Sequence, residues 1–159
     1  LDVFEQSLGL AKDRNLQIDI GRIDPVRVNG NTDRLRQVLL NLVKNAIKFT
    51  DDGGKITISA YPDKHEAVIE ISDTGMGINE ADCKRIFDRF FQADSARTRY
   101  NEGDGAGLGL SIVRWIVDNH KGTIKVDSTV DEGTTFQIRM PIYSEKTASN
   151  NTPEIKKLL

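Results

Sequence analysis

The sequence predicts a single α+β domain, in which a mixed, mostly antiparallel sheet packs its one face on about three helices. Three observations predict it. Four segments alternate apolar and polar residues and fall into two pairs, each pair joined by a short turn. Other stretches repeat apolar residues with the 3.6 period of a helix. The 159 residues are enough for one substantial core and contain no internal repeat.

Taken in order, Leu1 to about Arg14 reads as a short helix, with Val3, Phe4, Leu8 and Ala11 at near-helical spacing. Alternation in NLQIDIG and in VRVNG predicts two short strands after it. Thr32 is the expected N-cap of a long helix to Phe49, with Asp33 at its positive end and TDDGG as the stop. KITISAY and EAVIEIS form the first hairpin around PDKH. Glu80 to Phe91 is predicted as a helix whose apolar arc collects Cys83, Ile86, Phe87, Phe90 and Phe91. Residues 92–106 are polar and longer than most connections, which favours a functional loop. Leu108 to His120 returns to helix, with Trp115 turned away from Val113, Ile116 and Val117. Gly122 stops it, and TIKVDS and TTFQIRM close a last hairpin around VDEG. Beyond residue 142 the pattern is lost, so 143–159 is expected to be a polar tail or linker.

Composition excludes several functions. Lys and Arg total 22 against 24 Asp and Glu, and the net charge of −2 offers no broad attraction for nucleic acid. One cysteine and two histidines rule out an internal disulfide and leave too few soft ligands for a zinc cluster. No apolar run approaches the roughly 20 residues of a membrane span. The chain opens on Leu1 with no basic, apolar leader, which suggests a piece of a longer protein.

The long helix carries the first chemical signal. At 100° per residue Leu35, Val38, Leu39, Leu42, Val43 and Ala46 gather on one side, and Arg34, Gln37, Asn41, Asn45 and Lys48 on the other. Asparagine costs about 0.5–0.7 kcal/mol relative to alanine in a helix interior, so two in one stripe suggest a ligand. A carboxamide oxygen can coordinate Mg²⁺ without adding charge, and a lysine one turn on can meet a phosphate. In EISDTGMGI an acid, Asp73, ends a strand beside Gly75 and Gly77; GDGAGLGL then leads four glycines into a helix whose amino end attracts phosphate. Neither loop is a GxGxxG dinucleotide fingerprint in register, and no GxxxxGK[ST] occurs.

Four segments in order resemble the catalytic and ATP-binding domain of sensor histidine kinases, in the superfamily shared with gyrase, the chaperone Hsp90 and the mismatch-repair protein MutL. NLVKNAIKF is similar to the N box, DTGMGI to the G1 box, RIFDRFFQAD to the F box and GAGLGLSIV to the G2 box. The likeness runs from about Leu1 to Ile142, which sets the expected domain at 1–142, and it implies the two-layer Bergerat sandwich with an ATP lid at 92–106. It implies that Asn45 ligates Mg²⁺, that Asn41 stands near the phosphates with Lys48 contacting them, and that Asp73 accepts from the adenine amine. Gly75 and Gly77 would shape the pocket, Gly105, Gly107 and Gly109 would cradle the triphosphate, and Arg97 or Arg99 would reach a phosphate from the lid. Phe49, Ile78, Leu108 and Thr135 complete the implied nucleotide-binding set.

The hydrolytic branch of that superfamily places a glutamate four residues before the Mg²⁺ asparagine, where this chain has Asn41, which cannot act as a base. Transfer from ATP to another group is therefore expected over hydrolysis by a gyrase or MutL type ATPase. A protein-serine kinase of the anti-sigma-factor type and a non-catalytic nucleotide sensor also stay open at this point. The resemblance implies an acceptor histidine on a separate dimerisation domain of the same parent, a response-regulator receiver as partner, a homodimeric parent and a cytoplasmic setting, with an inner-membrane sensor as one form of the parent. His65, at a hairpin turn, and His120, at a helix end whose dipole suits a cation, are expected to be structural.

Overall fold

The computed structural model describes residues 2–93, 107–143 and 153–159 of the chain. Helix α1 spans Asp2–Ala11 and tightens into a 3₁₀ turn at Lys12–Arg14, followed by β1 at Gln17–Ile23. Helix α2 is Thr32–Phe49, and β2 (Lys55–Asp63) and β3 (Glu66–Asp73) form the first hairpin. A short helix α3, Glu80–Cys83, precedes α4 at Gly109–Asn119, then β4 (Thr123–Thr129), β5 (Gly133–Pro141) and a final turn of helix, α5, at Ile155–Leu158. The strands lie in the order β1-β2-β3-β5-β4. Among the described strands β1 and β2 pair parallel and the other three pairs are antiparallel: β2–β3 and β4–β5 are the two predicted hairpins, and β3–β5 joins one to the other.

Period-two alternation assigns the two sheet faces. Ile56, Ile58 and Ala60 of β2, Ala67, Ile69 and Ile71 of β3, and Phe136, Ile138 and Met140 of β5 are buried toward the helices. The register places Ile58 opposite Ile71, and Ile71 opposite Phe136, so one apolar surface runs across the strands. The other face carries a polar ladder in which Gln137 donates to Glu70 at 2.8 Å and Arg139 Nη1 donates to Asp63 and Glu66 at 3.0 Å each.

Helix α2 is held by packing rather than by propensity. Leu35, Val38, Leu39, Leu42, Val43 and Ile47 are buried on it, and each such side chain contributes about 1.5–3 kcal/mol, which outweighs the few tenths lost at each asparagine. Its N-cap is Asn31, one residue before the expected Thr32, with the side-chain oxygen accepting from the Arg34 amide at 3.0 Å. At the other end Arg14 donates to the carbonyls of Ile47, Lys48 and Thr50 at 3.2, 3.4 and 3.0 Å, satisfying acceptors the helix leaves over.

Three expectations are corrected. The segment VRVNG is no strand: Arg27 and Val28 make isolated bridges, to Glu154 and Ile142. The helix expected from Glu80 to Phe91 ends at Cys83. Beyond it the Phe90 amide is committed to the Gly107 carbonyl at 3.0 Å and Phe90 takes a φ of +64°, a tertiary contact that local periodicity does not encode. Phe90 is 67% exposed, whereas Ile86 is buried and Phe87 packs edge-on against Phe136. Finally, the expected polar tail ends in structure. Ile155, Leu158 and Leu159 are buried, the Ile155 amide donates to Val26 O at 3.0 Å, and the Phe4 amide donates to Leu159 O at 2.9 Å. Among the described residues no helix is long and apolar enough to cross a membrane.

Candidate nucleotide site

Asp73 ends β3 on the helix-facing side of the sheet and is only 8% exposed. Burial pushes its carboxyl up to about 6, against the opposing pull of the Gly75 and Thr134 backbone amides. The Gly75 amide donates to Oδ1 at 2.9 Å, forming a tight turn at the strand end. A methyl group on Gly75 would run into the carbonyl oxygen of Phe49, which also accepts from the Met76 amide at 3.1 Å. The carboxy end of α2 and the Asp73 turn are thus in direct contact, and only glycine allows the approach. Gly77 has φ +66° and lies against Thr129, so a side chain there is excluded twice over.

Sequence patterning left two residues beside this turn unmarked, Ser128 of β4 and Thr134 of β5. Ser128 Oγ accepts from the Ile78 amide at 2.8 Å and lies 2.9 Å from Gly133 O, stitching the Asp73 turn to the last hairpin. Thr134 is buried opposite Asp73. The expected residue, Thr135, points to the other face, where its hydroxyl meets Ser72 at 2.8 Å. The signal was present: Phe136, Ile138 and Met140 put the even positions of β5 on the core side, so Thr134 and not Thr135 shares a face with Asp73.

The polar stripe of α2 faces the second glycine turn. Asn41 Nδ2 lies 3.5 Å from the carbonyl oxygen of Gly109, the first residue of α4. Asn41, Asn45, Lys48 and Phe49 are half-buried, whereas Arg34 and Lys44 are exposed. Lys48 Nζ lies 5.5 Å over the Phe49 ring. Asn45 stands four residues from Asn41 and four from Phe49, so α2 touches one turn at each end of a roughly 12 Å stretch with Asn45 at its middle. The Asn45 carboxamide has no hydrogen-bond partner among the described residues. Gly107, with φ +67°, and Leu108 lead directly into α4. The Arg97, Arg99 and Gly105 assignments, and the lid from residue 94 to residue 106, lie outside the described residues.

Among the described residues no three His, Cys, Asp or Glu side chains gather into a metal cluster. A hard divalent ion here would take a neutral amide oxygen from the protein and its remaining ligands from phosphate and water, a donor set suited to Mg²⁺ with nucleotide. The half-buried Asn45 carboxamide, unpartnered among the described residues, fits that role.

Comparison with known proteins shows the family and the fold. Residues 30–144 match the family described as histidine kinase-, DNA gyrase B-, and HSP90-like ATPase. The chain is 39% identical over 152 residues to the sensor histidine kinase YclK of Bacillus subtilis (strain 168), covering 92% of this chain and 31% of that protein. It is 43% identical over 109 residues to the sensor protein SrrB of Staphylococcus aureus (strain NCTC 8325 / PS 47), covering 69% of this chain and 18% of that one. It therefore spans less than a third of the length of these curated relatives. The mycobacterial sensor histidine kinase MprB superposes with a TM-score of 0.76 at 31% identity, covering 88% of this chain and 93% of the solved one. The chain belongs to the histidine kinase-, DNA gyrase B- and HSP90-like ATPases, and within them is an ATP-binding catalytic domain of the histidine kinase kind.

Proposed function

We propose that this domain binds Mg·ATP between α2 and the two glycine turns and donates the γ-phosphoryl group to a histidine carried on a separate helical domain of its parent. The observation that carries the reading is the position of Asn45, unpartnered among the described residues and midway between the contacts α2 makes with the Asp73 turn and with the start of α4. Asp73, buried at the floor of one turn, accepts from the adenine amine, and Gly75, Gly77 and Ile78 shape the wall around the base. The amides at the start of α4, after Gly107 and Leu108, face the phosphates, where the helix end favours negative charge. Asn45 holds the metal ion, which when bound neutralises charge on the transferring phosphoryl group. Lys48 and Asn41 add a cation and a donor along the same stripe.

Asn41 decides between transfer and hydrolysis. An amide has no basic lone pair with which to activate water, and no carboxylate occupies that position of α2. The nucleophile comes from outside the chain: an imidazole nitrogen attacks the γ-phosphorus, the bond to the bridging oxygen breaks, and ADP leaves. A receiver domain of a response regulator is the onward acceptor. The test is to titrate the purified chain with Mg·ATP by calorimetry and then incubate it with γ-labelled ATP. Saturable binding without acid-labile protein-bound label is expected. Label on His65 or His120, or steady phosphate release at enzymatic rates, would refute the reading.

A further inference from the structure

His120 follows the last residue of α4, at the opposite end from the glycine turn. The helix dipole favours a cation there, but the imidazole is bonded at both nitrogens in a way that a cation cannot adopt. Nδ1 lies 2.7 Å from the Ile116 carbonyl oxygen one turn back, and Nε2 accepts from the Asn31 backbone amide at 3.1 Å. A carbonyl can only accept and an amide N–H can only donate, so the ring is neutral, with its proton on Nδ1 and its lone pair on Nε2. The packing around it is close. A methyl group on Gly30 would collide with Cδ2 and stand 2.7 Å from Nε2.

Asn31 is the N-cap of α2, so this bond ties the start of α2 to the end of α4. At the other end of the same antiparallel pair Asn41 meets Gly109. From residue 31 to 41 along α2 is about 15 Å, and from 109 to 120 along α4 about 16 Å. The two spans match, so the pair is pinned at both ends with its axial register determined. We propose that His120 is a positioning residue for nucleotide binding: by holding α4 in register on α2, it sets where the amides at the start of α4 stand relative to Asn45. This rests on the reading that those amides and Asn45 face the phosphates.

Two substitutions separate this role from a local helix-ending one. Asparagine reaches only as far as Nδ1, so His120→Asn keeps the bond to Ile116 and loses Asn31. Glutamine reaches as far as Nε2, so His120→Gln keeps an acceptor for Asn31 and loses Ile116. A helix-ending role spares His120→Asn and harms His120→Gln. A positioning role does the reverse: Mg·ATP should bind His120→Asn about two- to tenfold more weakly, as loss of one hydrogen bond implies, with His120→Gln near the parent affinity. Gly30→Ala, which displaces the ring without altering α4, should weaken binding in the same direction and serves should His120→Asn fail to fold. Nitrogen-15 imidazole shifts should show an unprotonated Nε2 in the parent chain. Equal affinities for His120→Asn and the parent, or equal losses in both His120 variants, would overturn the proposal. Failure of the unmodified chain to bind Mg·ATP would instead overturn the nucleotide reading beneath it.

Discussion

Replacing Asp73 by asparagine sets stability against function, and the structure gives the size of the effect. The carboxyl is raised from its ordinary 3.8 to about 6 because burial penalises the charged form more than the Gly75 and Thr134 amides favour it. At 1.36 kcal/mol per unit, that rise costs the folded state about 3 kcal/mol when the group is ionised. A raised native value means the group's contribution is most favourable below pH 4, where both folded and unfolded chains are protonated, and is lost as pH rises through about 6. Asparagine has no charge to bury and keeps an oxygen for the Gly75 amide, but its NH₂ meets a neighbourhood built for an acceptor, at a cost of about 1 kcal/mol. Asp73→Asn should therefore be about 2 kcal/mol more stable than the parent at pH 7, with the difference shrinking as pH falls through about 6 and gone near pH 4. It should also bind ATP at least about tenfold more weakly, because the amine loses its charged acceptor. Urea denaturation from pH 4 to 8, paired with ATP titration at pH 7, measures both. A variant less stable than the parent at pH 7, or a stability difference indifferent to pH, would refute the account of Asp73.

Asn45→Ala should melt slightly higher than the parent, by roughly 0.5 kcal/mol from helix propensity, while losing the part of its ATP affinity that depends on Mg²⁺; titrations with and without the ion, beside a thermal melt, check both halves. Ile155 is fully buried, so Ile155→Ala should destabilise the fold by about 2–4 kcal/mol in a denaturant titration, whereas a frayed tail would make the substitution silent.

The sheet and both hairpins were legible because period-two alternation is written into consecutive residues, and the register merely aligned faces already apolar. The stripe of Asn41, Asn45 and Lys48 was legible for the same kind of reason at the helical period, as was the exposure of Trp115, 55% open on the outer side of α4. Thr134 was legible too, through the phase of Phe136, Ile138 and Met140, although the family resemblance pointed to Thr135. Asn31 in place of Thr32 as the cap is a matter of one residue, where two neighbours both suit the role.

Local order along the chain therefore determined the fold class, the polar stripe and the acid and glycines of the first turn, since each is a pattern among neighbours in sequence. Only the tertiary structure decided that Phe90 leaves the helical path to bond Gly107, that residues 153–159 return to the core beside Val26 and Phe4, and that His120 is a neutral acceptor for Asn31 rather than a cation on a dipole. Each of these is a hydrogen bond or a buried contact between residues far apart in the chain, and no window of adjacent residues contains both partners.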